Sequence, residues 1–174
     1  MATTTELLKD MELPKLPSTD PNGLSAKYDL HCHCGSIRYT MTISPPLYAS
    51  QTTAEQPEQC EAVECFCSYC ARNGVWAVHP LTKDVVFTHG LHDRVEYLLG
   101  AKMNPQWFCR VCGSAVGTDL SPLTTLLGLE ERYSINLRML KDFDAEKLKV
   151  RKCDLARRLP PKYEDIIDEM YAKG

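Results

Sequence analysis

The sequence predicts a mainly β fold built from small antiparallel sheets. Short segments that alternate apolar and polar residues recur along the chain, and glycine, proline, asparagine or histidine separates them. No helical pattern is long enough for the crossover connections of a parallel sheet. Most of the nine cysteines stand in short, closely spaced groups, which is typical of chelating turns.

The first two predicted strands lie on either side of a tight turn at Gly35. Tyr28 and Leu30 alternate with polar neighbours before the turn, and 36–43 alternates again after it. Further strands are predicted at 75–78, 84–88, 94–99, 106–108, 114–118 and 133–139. Residues 50–64 are polar and irregular, which predicts a loop or a frayed short helix.

The two ends of the chain differ from its middle. Residues 1–25 contain three prolines and predict a flexible lead-in, whereas 26–153 is predicted to be the folded domain. The segment 154–174 is predicted to be a C-terminal extension with a short helix, and 144–150 could form another. The apolar stripe of the terminal helix would consist of Ile166, Ile167 and Met170.

Composition narrows the function classes. The chain has 174 residues, 44% hydrophobic and 25% charged, with a formal net charge of −3. No lysine- and arginine-rich stripe favours nucleic acid, and no apolar run favours a signal peptide or a membrane span. We therefore expect a cytoplasmic protein, whose thiols in a reducing compartment are metal ligands rather than disulfides.

Two of the cysteine groups predict one closed metal site. Each ends in a cysteine followed directly by glycine, at Gly35 and Gly113, and glycine readily adopts the positive φ that a chelating turn needs. Four thiolates leave a tetrahedral zinc ion no open position, so this site is predicted to be structural. Its ligands would be Cys32, Cys34, Cys109 and Cys112.

The middle group, Cys65, Cys67 and Cys70, offers only three thiolates. Three protein ligands with a vacant fourth position are typical of a catalytic zinc, and a sulfur-rich zinc suits a substrate thiol. Two alternatives stay open. Cys60 or His79 could close the site as a structural one, or the site could be empty in the resting protein.

Other residues near these groups have weaker signals. Arg72 could hold a substrate carboxylate in a bidentate pair. His31 and His33 alternate with the first two cysteines and should point to the opposite face of an extended strand. Cys153 lies in a basic stretch and is predicted to be a spare thiol, while Tyr69 is predicted to pack.

The segments CHCGSIRY, CFCSYCARNG, FCRVCGSAV and INLR, in this order, carry a resemblance. Over roughly residues 28–150 the chain resembles the family of the glutathione-dependent formaldehyde-activating enzyme and centromere protein V, especially its fungal branch. The resemblance implies an Mss4-like fold stapled by two zinc ions. It implies a structural zinc on Cys32, Cys34, Cys109 and Cys112, and a catalytic zinc on Cys65, Cys67 and Cys70.

The resemblance also implies a chemistry. Members of the family that the chain resembles join formaldehyde to glutathione as S-hydroxymethylglutathione, or reverse that step. We therefore expect a zinc-dependent carbon–sulfur lyase whose small-molecule partner is glutathione or another thiol, with Arg72 orienting an anionic end. One alternative is a fungal secondary-metabolite tailoring enzyme on the same scaffold. Another is a non-catalytic, zinc-stapled binding module.

Overall fold

A computed structural model of the chain describes residues 15–17, 22–154 and Arg157. Ten strands and few helices make up this part, which confirms the mainly β class. The strands are β1 (Ala26–His31), β2 (Arg38–Ile43), β3 (Glu61–Cys65), β4 (Trp76–Val78), β5 (Val85–His89), β6 (Arg94–Leu98), β7 (Pro105–Cys109), β8 (Ala115–Asp119), β9 (Tyr133–Asn136) and β10 (Lys149–Cys153).

The strands form two sheets. The smaller has the order β1-β2-β5 and is antiparallel throughout. The larger has the order β10-β3-β4-β9-β8-β7-β6, and its neighbours pair antiparallel except β10 with β3, which are parallel. This parallel pair differs from the predicted all-antiparallel arrangement.

Helices are short in the described residues. The α-helices are α1 (Ser68–Asn73) and α2 (Ser121–Leu126), neither of which was predicted. Single 3₁₀ turns lie at Ala49–Gln51, Thr82–Asp84, Leu91–Asp93, Leu137–Met139 and Ala145–Lys147. None of the helices in this part of the chain is long and apolar enough to cross a membrane.

Two segments differ from the sequence prediction. The predicted irregular segment 50–64 ends in β3, and the predicted helix at 144–150 is one 3₁₀ turn followed by β10. In both cases the strands pair with each other, and such pairing overrides local propensity. The predicted terminal helix with Ile166, Ile167 and Met170 lies outside the described residues.

The hydrophobic core lies between the two sheets. Tyr39 and Met41 of β2 and Trp107 of β7 are almost completely buried in one cluster. Phe87 of β5 links them, because its ring stacks on Tyr39 at 5.0 Å and meets Trp107 edge-on at 6.0 Å. This packing brings the β1–β2 turn close to the β7–β8 turn.

Gly90 fixes one contact at the edge of this arrangement. It follows β5 with φ +68°, and a Cβ built there would lie 1.9 Å from the carbonyl oxygen of Ser36. Only glycine fits both the backbone conformation and the space. The end of β5 can therefore approach the turn that carries Cys34.

Candidate metal centres

The four predicted ligands of the closed site come together, and we call them the first cluster. The Sγ atoms of Cys32, Cys34, Cys109 and Cys112 all lie within 4.8 Å of one another. The Sγ atoms of Cys32 and Cys34 are 3.5 Å apart, and those of Cys34 and Cys109 are 3.8 Å apart. Sulfurs at the corners of a tetrahedron around zinc are about 3.8 Å apart. The geometry therefore fits a metal ion bound by four thiolates.

Two turns build this cluster. Gly35 and Gly113 both have positive φ, at +75° and +73°, as the sequence predicted for chelating turns. The backbone N–H of Ile37 donates to Cys32 Sγ at 3.3 Å. Because one turn belongs to the smaller sheet and the other to the larger, a metal ion here would tie the two sheets together.

Two serine hydroxyls support the first cluster. Ser36 Oγ lies 3.1 Å from Cys34 Sγ, and Ser114 Oγ lies 3.3 Å from Cys112 Sγ. Burial by itself raises the pKa of Cys112, but hydrogen bonds from Ser114 and the backbone outweigh it and lower that pKa to about 5. The Ser36 contacts likewise lower the pKa of Cys34. Both sulfurs are thus favoured as thiolates, the form that binds metal.

The other three cysteines also come together, and we call them the second cluster. The Sγ atoms of Cys65, Cys67 and Cys70 lie within 4.8 Å of one another, and all three residues are partly buried. Cys65 ends β3, and Cys67 caps α1 by accepting a hydrogen bond from the Cys70 N–H at 3.4 Å. The Cys67 N–H is 3.5 Å from Cys65 Sγ. This tight turn explains why three thiols fit within six residues.

The three thiols of the second cluster differ in pKa. The thiols of Cys65 and Cys70 lower the pKa of Cys67 to about 2. The hydrogen bond to Cys67 raises the pKa of Cys65 to about 11, and hydrogen bonds to Cys65 and Cys67 raise the pKa of Cys70. Hydrogen bonds from the neighbouring thiols therefore favour the thiolate form at Cys67.

The two residues that could have closed this site lie elsewhere. Neither the Cys60 sulfur nor a ring nitrogen of His79 lies within 4.8 Å of all three sulfurs of the second cluster. Cys60 is only 4% exposed and belongs to the core, where burial raises its pKa to about 12. Along an extended strand it is about 16 Å from Cys65. Burial, assisted by Arg132, lowers the pKa of His79 to about 4.

Aromatic side chains lie beside the second cluster. Tyr69 stacks on Tyr97 at 6.2 Å, and the exposed Phe66 ring lies 5.8 Å from Lys152 Nζ. Burial raises the pKa of Tyr69 to about 12, so its hydroxyl remains protonated at neutral pH. Rings and a cation beside a thiolate cluster could bind a small anionic molecule.

The remaining predicted residues have the following positions. Arg72 lies on α1, where its Nη1 donates to the carbonyl oxygen of Ser68 at 2.8 Å, and its role as a carboxylate anchor stays a prediction.

His31 Nδ1 lies 2.9 Å from the Cys32 carbonyl oxygen. The His33 N–H donates to Ser114 Oγ. Cys153, predicted to be spare, is opposite Cys65 in the β10–β3 ladder.

Sequence reasoning missed the serines and one arginine. The tripeptide Cys-Gly-Ser occurs at 34–36 and again at 112–114, a repeat that could have indicated both hydroxyl contacts. Arg138, whose Nε donates to the carbonyl oxygen of Gly74 at the end of α1, has no comparable local signal. Its partner is distant in sequence.

Comparisons with known proteins add information about the fold. No protein-family model matches the chain, and no curated protein matches its sequence. A crystal structure of a Rhodobacter sphaeroides protein, a structural genomics target, is similar with a TM-score of 0.50 at 21% identity. The alignment covers 72% of this chain and 100% of that one. At this identity the likeness concerns the fold alone.

Proposed function

We propose that this protein is a zinc-dependent enzyme of the carbon–sulfur lyase type that acts on a thiol–carbonyl adduct resembling S-hydroxymethylglutathione. The observation that carries the proposal is the contrast between the two clusters. Four cysteines meet in the first and three in the second, and the second is partly exposed beside aromatic rings and a cation. This is the difference between a structural and a reactive zinc site.

Zinc is the proposed metal at both clusters because all their donors are thiols. Soft thiolate ligands select zinc or copper(I), and zinc alone adds no redox chemistry. The mainly β fold with two cysteine clusters at its turns supports the proposed membership of the Mss4-like group and of the formaldehyde-activating enzyme family. Thiol ligands of this kind persist in a reducing compartment, which favours the cytoplasm.

In the proposed mechanism Cys65, Cys67 and Cys70 hold the metal ion. Bound there, zinc would stabilise a substrate thiol as its thiolate and polarise a carbonyl oxygen. Arg72 would orient an anionic end of the substrate, and the rings of Tyr69 and Tyr97 would form one wall.

The reaction is a simple addition. In the forward direction a carbon–sulfur bond forms and the carbonyl π bond breaks. The thiol proton ends on the new hydroxyl oxygen, and no oxidant or reductant takes part. The reverse direction returns the thiol and the carbonyl compound.

The test follows exchange between glutathione, formaldehyde and their adduct by NMR with the zinc-loaded protein. We expect faster exchange than in buffer with wild type and with Cys60→Ala, whose thiol lies in the core. Cys67→Ser should return the rate to that of buffer while the protein stays folded. Equal rates for wild type, Cys67→Ser and buffer would remove this chemistry, and a zinc-stapled binding module would then be the better description.

A further inference from the structure

The parallel ladder between β3 and β10 brings a fourth thiol beside the second cluster. Its register pairs Lys149 with Glu61 at one end and Cys153 with Cys65 at the other. Side chains of paired residues share one face of a sheet, and a period of two keeps that face along each strand. The ion pair between Lys149 Nζ and Glu61 Oε1, at 2.8 Å, marks this shared face. Cys153 and Cys65 therefore lie on it together.

This face of the sheet is the one that carries the second cluster. Val63 lies on it between Glu61 and Cys65 and pairs with Ala77 of β4. Ala77 belongs to a small buried group with Val75 and Ala115, and Cys70 packs against this group. The opposite face carries Ala62, which belongs to the core between the sheets. Cys153 thus lies on the metal-binding side of the sheet and not on the core side.

The backbone of Cys153 is held close to the chelating loop. Its carbonyl oxygen accepts a hydrogen bond of 2.9 Å from the N–H of Phe66, so the ladder continues one residue past Cys65. Neighbouring strands are about 4.8 Å apart. The Cys153 sulfur does not lie within 4.8 Å of all three sulfurs of the second cluster. A change of χ1 rotamer moves a cysteine sulfur by about 3 Å with no backbone shift.

We propose that Cys153 is the fourth thiolate ligand of the second metal centre and that a substrate thiol displaces it. Displacement would release the Cys153 sulfur from the metal ion, and the substrate sulfur would take its place. The proton of the incoming thiol passes to Cys153, so charge and electrons balance. Cys153 would thus occupy, in the absence of substrate, the fourth position that the three cysteines of the second cluster leave for a substrate thiol. This inference rests on the proposed zinc at this cluster and not on carbon–sulfur bond formation.

Cadmium NMR of the cadmium-substituted protein tests the proposal, because each centre gives its own resonance and the shift reports how many sulfurs bind. We expect two resonances in wild type. Cys153→Ala should move the resonance of the second centre upfield and leave that of the first in place. Adding 2-mercaptoethanol to Cys153→Ala should move it back, because an external thiol then fills the vacant position.

Cys60→Ala is the matched control, since it also removes one non-cluster thiol, and it should move neither resonance. A second-centre resonance unchanged by Cys153→Ala would overturn the inference while leaving the proposed function intact. A single resonance in wild type would overturn the metal premise of both.

A second measurement needs no variant at Cys153. In the zinc-loaded wild type, Cys153 should react with iodoacetamide at least ~10-fold more slowly than after zinc removal, as mass spectrometry would show. Full-rate alkylation of Cys153 in protein whose Cys65, Cys67 and Cys70 remain protected would overturn the inference.

Discussion

Arg138 Nε donates a hydrogen bond to the carbonyl oxygen of Gly74, the residue that caps the C-terminal end of α1. Its guanidinium also lies over the Trp76 ring at 5.1 Å and over the Phe143 ring at 5.5 Å. The Arg138 N–H donates to Asn136 Oδ1 at 3.2 Å. The 3₁₀ turn that follows β9 therefore supports the C-terminal end of the helix that carries one ligand of the second cluster.

Replacing Arg138 with lysine should weaken metal binding at the second cluster. The guanidinium group of arginine is planar and can stack on two rings while it donates a hydrogen bond in a fixed direction. The ammonium group of lysine cannot do both. Loss of such support around a metal site typically costs 10–100-fold in affinity. We expect a decrease of about 10-fold or more at the second cluster only, measured by competition with a chromogenic zinc chelator.

Arg38 offers the matched variant, because its Nε donates to the Gly35 carbonyl oxygen at 2.9 Å beside the first cluster. Arg38→Lys should leave the second cluster unaffected. Equal losses at both clusters from either variant would show a general destabilisation and contradict the positioning role of Arg138.

Gly90→Ala should destabilise the protein far more than Gly100→Ala. Both glycines have positive φ, so each substitution costs about 1–2 kcal/mol of backbone strain. At Gly90 the new Cβ also meets the Ser36 carbonyl oxygen, whereas nothing lies within 4 Å at Gly100. We expect about 3 kcal/mol or more at Gly90, measured by urea unfolding. Similar losses at the two positions would be inconsistent with this close approach.

Cys109→Ser should lower the free energy of unfolding more than Cys67→Ser does. Cys109 is 1% exposed, and its cluster lies between turns of the two sheets, whereas the second cluster links only β3 to the adjacent α1. A structural metal contributes its binding free energy to folding. We expect a loss on the order of 4 kcal/mol for Cys109→Ser. Chelator addition should reproduce that loss in wild type and add little in the variant.

His79 should make stability depend on pH. Its pKa is lowered from 6.5 to about 4, chiefly by burial. Between these values the unfolded chain binds a proton that the folded chain does not, so stability falls as the pH drops from about 6.5 to 4. The loss should be on the order of 2 kcal/mol. His79→Gln should show a shallower fall in urea unfolding over this range. Parallel curves for the two proteins would exclude His79 as the cause.

Spacing in the sequence was sufficient to predict the two chelating turns of the first cluster and the whole of the second cluster. The glycines after Cys34 and Cys112 indicated turns with positive φ, and a turn of six residues can bring Cys65, Cys67 and Cys70 together without help from the rest of the chain. These turns depend on residues close together in the sequence, and a sequence pattern contains that local information.

The pairing of β3 with β10 depends on the whole fold. Glu61 and Glu64 make β3 resemble a polar loop, and the lysines of β10 make that strand resemble a helix or tail. Their charges find partners only once the strands are adjacent, as for Glu61 and Lys149. For the same reason no pattern near Cys153 indicates that it lies opposite Cys65.

The parallel position of β10 has a consequence for biosynthesis. Proteins emerge from the ribosome N-terminal end first, at about 5–20 residues per second. All four residues of the first cluster have been made once Cys112 is synthesised, but β3 remains a sheet edge until β10 follows. A nascent chain can thus bring the ligands of the first cluster together early, before β8 and β9 complete the larger sheet, while the thiols of the second cluster still lie beside an open edge. Truncated chains released from the ribosome before β10 would expose that edge, and they would be the forms most prone to aggregate and to lose metal.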